Sequence, residues 1–159
     1  MKFSLNFVKQ ITDIDVPAQE IARRLTLAGM EVERLESHEG DAVFDIEVTS
    51  NRYDWLSIAG IAREVAVCAG TQVRLGFPEL ITKPRIRSPR VIIQEQNDCP
   101  YYIGRKIDGI TVALTPWKWL EQGITHCGVK SVNAVVDITN YCMLKWGNPL
   151  HAFDADKIK

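Results

Sequence analysis

The chain has 159 residues, room for one ordinary domain or two small ones, and its 46% hydrophobic and 25% charged residues are typical of a globular protein. Its net charge of −1 excludes a global field that would attract nucleic acid or a membrane. No apolar run approaches the roughly 18 residues of a membrane span, and polar residues break the amino-terminal apolar runs, so we expect a cytoplasmic protein that contacts no membrane.

The first elements in chain order predict a small α+β unit. Residues 3–8 alternate apolar and polar side chains, which predicts a short strand. A helix should follow with Pro17 at its first position, and Gly29 should end it. Residues 31–37 and 43–50 alternate with period two around a polar turn, so they predict a hairpin.

A second helix should follow the hairpin, capped by Asp54 or Ser57 and ended by Gly70. Residues 1–73 therefore form a strand-helix-hairpin-helix domain in this prediction.

Residues 74–90 differ in composition and predict a linker, because they hold three prolines and no helical periodicity. Their local charge is +4. These basic residues could contact RNA phosphates, or they could simply keep a solvated linker soluble. The basic residues are Arg74, Lys83, Arg85, Arg87 and Arg90.

Residues 91–159 are predicted to form a second unit. Residues 91–95 and 101–112 read as strands, and a helix should then begin with Thr115 as its cap. Residues 131–147 predict a further helix, since apolar side chains recur at spacings of three and four.

Some polar residues are candidates for a site, each with a structural alternative. His151 lies in a loop near carboxylates and could act as a general base or hold a substrate group; it could equally be exposed or bonded to backbone. Asp137 and Asn140 lie one helical turn apart among apolar residues, where they would tie the helix to neighbouring backbone. Arg52 could contact an anion or RNA, although pairing with a carboxylate such as Asp54 is favoured.

The cysteines and tryptophans complete the candidates. The four cysteines are too widely spaced for a zinc site, and we expect free thiols and no metal. Trp117 is interpreted as a core residue, whereas Trp119 and Trp146 could be exposed and could stack on bases.

Several long motifs resemble one enzyme family. LTLAGMEVERLE and FDIEVTSNRYDWLSIAGIAREVAVCAG are similar to the first domain of the phenylalanyl-tRNA synthetase beta chain. SVNAVVDITNYCMLKWGNPLHAFDADKI resembles the start of that chain's editing domain, and GRKIDGITVALTPWKWLEQGI lies between them. The resemblance implies that this chain is the amino-terminal portion of a longer beta chain. Many bacterial beta chains carry an inserted tRNA-binding oligonucleotide-fold domain, and here SHEGDA stands in its place.

That resemblance implies partners and cofactors. The family's enzyme has two alpha and two beta chains and joins phenylalanine to its tRNA with ATP and Mg²⁺. The alpha chain carries the aminoacylation site, so this chain should hold no aminoacylation residue and bind neither cofactor. Its partners would be the alpha chain, the rest of the beta chain, and tRNA.

The resemblance also implies an incomplete editing pocket for tyrosine wrongly attached to the tRNA. His151 matches the family's editing histidine, and Lys130 stands where the family usually has arginine. Residues 91–159 would be the first part of a mixed α/β editing-type domain, with an apolar face and strand edges left unpaired. Two alternatives remain: a nucleic-acid or protein binding module, and a trans-editing deacylase completed by homo-oligomerisation.

Overall fold

The structure is a computed structural model, and it describes residues 1–76, 91–114 and 117–158. It contains helices and a small antiparallel sheet, which confirms the predicted α+β class. The chain divides into two units, residues 1–76 with 113–152 and residues 77–112 with 153–159.

The sheet of the first unit has three strands in the order β1-β3-β2. β1 (Lys2–Ser4) and β2 (Val32–His38) both pair antiparallel with β3 (Asp41–Ile46). The β2–β3 hairpin turns at Glu39 and Gly40, as the polar turn in the sequence predicts.

Five α-helices pack with this sheet in the first unit. They are α1 (Leu5–Lys9), α2 (Ala18–Leu27), α3 (Ile58–Ala69), α4 (Lys118–Thr125) and α5 (Ala134–Trp146). A short 3₁₀ helix, Tyr53–Leu56, precedes α3. The core draws on both ends of the sequence and includes Phe3, Phe7, Phe44, Leu25, Ile61, Leu120 and Ile124.

The strand predicted for residues 3–8 is wrong beyond Ser4. The Ser4 hydroxyl accepts a hydrogen bond from the Phe7 amide at 3.1 Å and so caps α1. Leu5 and Val8 then lie on one helical face and are buried. The spacing of apolar residues in so short a segment is compatible with a helix as well as with a strand, so it could not distinguish them.

The strands predicted for residues 91–95 and 101–112 are also wrong, because the described part of the second unit contains no strand. A strand needs a neighbour for its backbone hydrogen bonds, and none of the described strands pairs with this segment. Its apolar side chains are instead open to solvent, with Tyr101 88% and Ile103 86% exposed.

The helices α4 and α5 belong to the first unit, whereas the sequence predicts them in a separate unit over residues 91–159. Phe7 of α1 stacks on Tyr141 of α5 with ring centroids 4.5 Å apart, and the two rings are nearly parallel. Leu120 and Ile124 of α4 are buried in the same core. Among the described residues, no helix combines the length and the apolar character needed to cross a membrane.

Candidate functional site

The loop that enters α5 is held by the helix's own first turn. Asn133 caps α5 by accepting a hydrogen bond from the Val136 amide at 3.0 Å. Asp137 is fully buried and accepts from the Val132 amide at 2.9 Å and from the Ser131 hydroxyl at 2.5 Å. The positive end of the helix dipole also stabilises a carboxylate in the first turn. Asp137 therefore fixes the backbone immediately after Lys130.

The loop that leaves α5 carries His151. Gly147 ends the helix with a φ of 83°, a left-handed conformation that suits glycine at this position. A side chain there would also come within 3.3 Å of the Ser57 Cβ atom. Residues 148–152 continue without helix or strand, and His151 is exposed.

The two candidate editing residues thus lie at opposite ends of α5. Lys130 is exposed and comes before the first turn, and His151 follows the last turn. A helix of 13 residues extends about 20 Å. Asn140 lies between them, half-buried in the middle of α5.

The basic segment is described only at its start. Arg74 forms an ion pair with Asp13, and its amide donates to the Ile11 carbonyl at 2.7 Å. Lys83, Arg85, Arg87 and Arg90 lie outside the described residues.

Arg52 pairs with carboxylates, as the favoured interpretation has it. Its guanidinium donates to both Asp54 oxygens, at 3.0 and 2.9 Å, and to Glu64. The guanidinium also lies 4.0 Å from the centre of the Trp55 ring. Hydrogen bonding to Asp54 raises the pKa of Arg52, and the same contact lowers the pKa of Asp54.

A polar cluster that the sequence does not predict joins the end of α4 to the hairpin. Asp41 is 5% exposed and accepts hydrogen bonds from the Ser4 hydroxyl and, at 3.0 Å, from the Asn6 amide. The imidazole Nδ1 of His126 lies 2.8 Å from Asp41 Oδ2. Because a carboxylate accepts hydrogen bonds, Nδ1 is the donor in this pair. Nothing in the spacing of residues this far apart signals the cluster.

Cys127 lies next to this cluster but is not arranged as a nucleophile. Burial raises the pKa of its thiol to about 11, and this effect outweighs a hydrogen bond with the Ser4 backbone. A thiol with so high a pKa stays protonated and unreactive near neutral pH. The described residues hold no group of three or more histidine, cysteine or carboxylate side chains placed to bind a metal.

Trp117 and Trp119, at the start of α4, are more exposed than core residues. Trp117, interpreted from the sequence as a core residue, is 45% exposed, because it precedes α4 as its cap residue instead of lying on the buried face. Trp119 is 54% exposed, and Trp146 is half-buried.

The comparisons with known proteins agree on one kind of relative. A family model described as a B3/4 domain matches residues 98–159. The phenylalanine–tRNA ligase beta subunit of Rhodopirellula baltica is 35% identical to this chain over 160 aligned residues, which cover 99% of the chain. The beta subunit of Geobacter metallireducens is 42% identical over 118 residues, or 73% of the chain, and the chloroplastic one of Porphyra purpurea is 35% identical over 99%.

The chain is much shorter than these curated relatives. Its match spans 23% of the Rhodopirellula subunit, 15% of the Geobacter subunit and 23% of the Porphyra subunit.

Proposed function

We propose that this chain, which is related to phenylalanine–tRNA ligase beta subunits over nearly its whole length, works in the cytoplasm as part of such a subunit. The observation that carries the proposal is the 35% identity to the Rhodopirellula subunit over 99% of the chain. The complete enzyme would ligate phenylalanine to its tRNA with ATP and Mg²⁺. This portion would contribute to assembly with the alpha chain and the rest of the beta chain, and to tRNA handling.

Within that assembly, His151 and Lys130 would form part of the wall of the editing pocket. Tyrosine differs from phenylalanine by one hydroxyl, and an apolar pocket rejects such an addition weakly, so a second, hydrolytic pocket has a physical purpose. Both side chains are exposed in this chain.

The separation of the two residues by α5 suggests different roles for them. The helix between them has 13 residues and is about 20 Å long, which exceeds one aminoacyl group. His151 would then lie near the aminoacyl ester, where a neutral imidazole can accept a proton from the attacking water. Lys130 would contact a phosphate as a point charge, without the planar fork that arginine offers.

The basic segment would add phosphate contacts. Arg74 is already paired with Asp13, so the contribution would come mainly from the four basic residues Lys83, Arg85, Arg87 and Arg90. Such contacts would make tRNA affinity fall as salt rises.

A chimera tests the proposed function. The 159 residues replace the matching segment of the Rhodopirellula beta subunit, and the product is co-expressed with its alpha subunit. The chimera should assemble and charge tRNA with phenylalanine, while His151→Ala should slow hydrolysis of tyrosyl-tRNA without lowering charging. Lys130→Arg is the conservative partner variant and should keep hydrolysis.

Two results would contradict it. A folded chimera that fails to bind the alpha subunit would refute the role in assembly. Unchanged hydrolysis in the His151→Ala chimera would refute the editing role of that residue.

A further inference from the structure

An aromatic surface with a lysine beside it lies where α4 packs against α5. Trp119 of α4 and Tyr141 of α5 meet edge to face, with ring centroids 5.3 Å apart and planes at 85°. The ammonium of Lys145, one turn beyond Tyr141, lies 5.8 Å from the Tyr141 ring and 5.6 Å from the Trp146 ring. These four residues are named here the α4–α5 aromatic surface.

The surface is preorganised from beneath. Tyr141 stacks on the buried Phe7 ring, and its hydroxyl donates to Gln10 Oε1 at 2.5 Å. In an edge-to-face pair, Tyr141 covers at most one face of the Trp119 indole. The other face belongs to a side chain that is 54% exposed, so a planar group can stack on it at little cost in ordering the protein.

The charges on the helices around this surface favour an anionic partner. α1, α4 and α5 carry Lys9, Lys118 and Lys145, and their one solvent-exposed carboxylate is Glu121. Lys118 lies 3.9 Å from Glu39 of the hairpin turn, a contact so exposed that it holds the lysine weakly. Planar apolar rings joined by negative charges are what unpaired nucleotides present.

We propose that the α4–α5 aromatic surface binds unpaired nucleotides of RNA. A base stacks on the exposed Trp119 indole, and Lys145, whose ammonium lies beside the Tyr141 ring that Trp119 meets, contacts the neighbouring phosphate. The proposal deepens the tRNA handling of the proposed function and rests on it for the identity of the partner as RNA.

Anisotropy of a fluorescein-labelled, unstructured oligouridylate of about ten nucleotides tests this at low salt. Trp119→Ala should weaken binding about tenfold, because stacking on one aromatic ring supplies an effect of that order, whereas Trp119→Phe should lose much less. Lys145→Ala should weaken binding and reduce its salt dependence by about one ion, and Lys145→Arg should restore both. The aromatic control is Tyr53→Ala, since Tyr53 is 78% exposed and lies outside the surface.

The inference is overturned if the wild-type chain does not bind the RNA at low salt, or if a folded Trp119→Ala variant binds as tightly as wild type. It is also overturned if the purified alpha subunit, and not RNA, shields Trp119 from quenching by acrylamide, because the partner would then be a protein. A chimera that assembles and charges tRNA, but whose oligouridylate binding is unchanged by Trp119→Ala, refutes this inference alone. Failed assembly with RNA binding intact refutes only the proposed function.

Discussion

Replacing Asp41 with asparagine should reveal how firmly α4 is held to the hairpin. The carboxylate accepts from the Ser4 hydroxyl, the Asn6 amide and the His126 imidazole, and it is almost fully buried. Asparagine keeps one acceptor oxygen and turns an NH₂ group toward a donor. Leaving a buried donor without its acceptor costs about 1–3 kcal/mol, so the free energy of unfolding should fall by an amount in that range.

Urea unfolding followed by tryptophan fluorescence and by circular dichroism measures the change. A double-mutant cycle with His126→Ala isolates the contact, and its coupling energy should be at least about 1 kcal/mol. His126→Asn is the matched control, because its amide can still donate to Asp41 and should cost less than alanine. A coupling energy below about 0.3 kcal/mol, or an Asp41→Asn variant as stable as wild type, would refute the reasoning.

Three further predictions follow from the packing, two on substitutions and one on the reactivity of a buried thiol. Gly60→Ala should destabilise the protein by about 3 kcal/mol, because an added Cβ would lie 1.8 Å from the Asp54 carbonyl oxygen; an unchanged urea midpoint would contradict this close approach. Asn133→Ala should cost about 1 kcal/mol through loss of the α5 cap, and Asn133→Asp should cost less; equal losses would argue against capping. Cys127, with a thiol pKa raised to about 11 by burial, should react slowly with iodoacetamide near pH 8 when folded and rapidly in urea, as mass spectrometry would show.

Local patterns predicted the hairpin and the two longest helices well. Ser57 and Gly70 bound α3 and Gly147 ends α5, because capping side chains and left-handed glycines act within a few residues, whereas the Asn133 cap of α5 was not predicted. The β2–β3 hairpin likewise follows from alternation around a polar turn.

Contacts between distant segments were not predictable from those patterns. The stack of Phe7 on Tyr141 and the bond between Asp41 and His126 depend on how α4 and α5 pack on the first unit, which no local spacing encodes. The prediction of strands in residues 101–112 was wrong for a related reason, because a strand is stable only when it pairs with a neighbouring strand.

The placement of the candidate site was only partly foreseen. The motif around residue 151 pointed to a loop histidine, and His151 does lie in an exposed loop beyond α5. The predicted helix over residues 131–147 already lies between Lys130 and His151, and the structure gives it as Ala134–Trp146.

The most direct test of the central claim is release of tyrosine from tyrosyl-tRNA by the purified 159-residue chain, with and without the complementary part of a relative's beta subunit and its alpha subunit. The account predicts no release by the chain alone, and release that depends on His151 once the other parts are added. Tyrosine release by the chain alone would contradict it, and so would release by the complete assembly at a rate unchanged by His151→Ala.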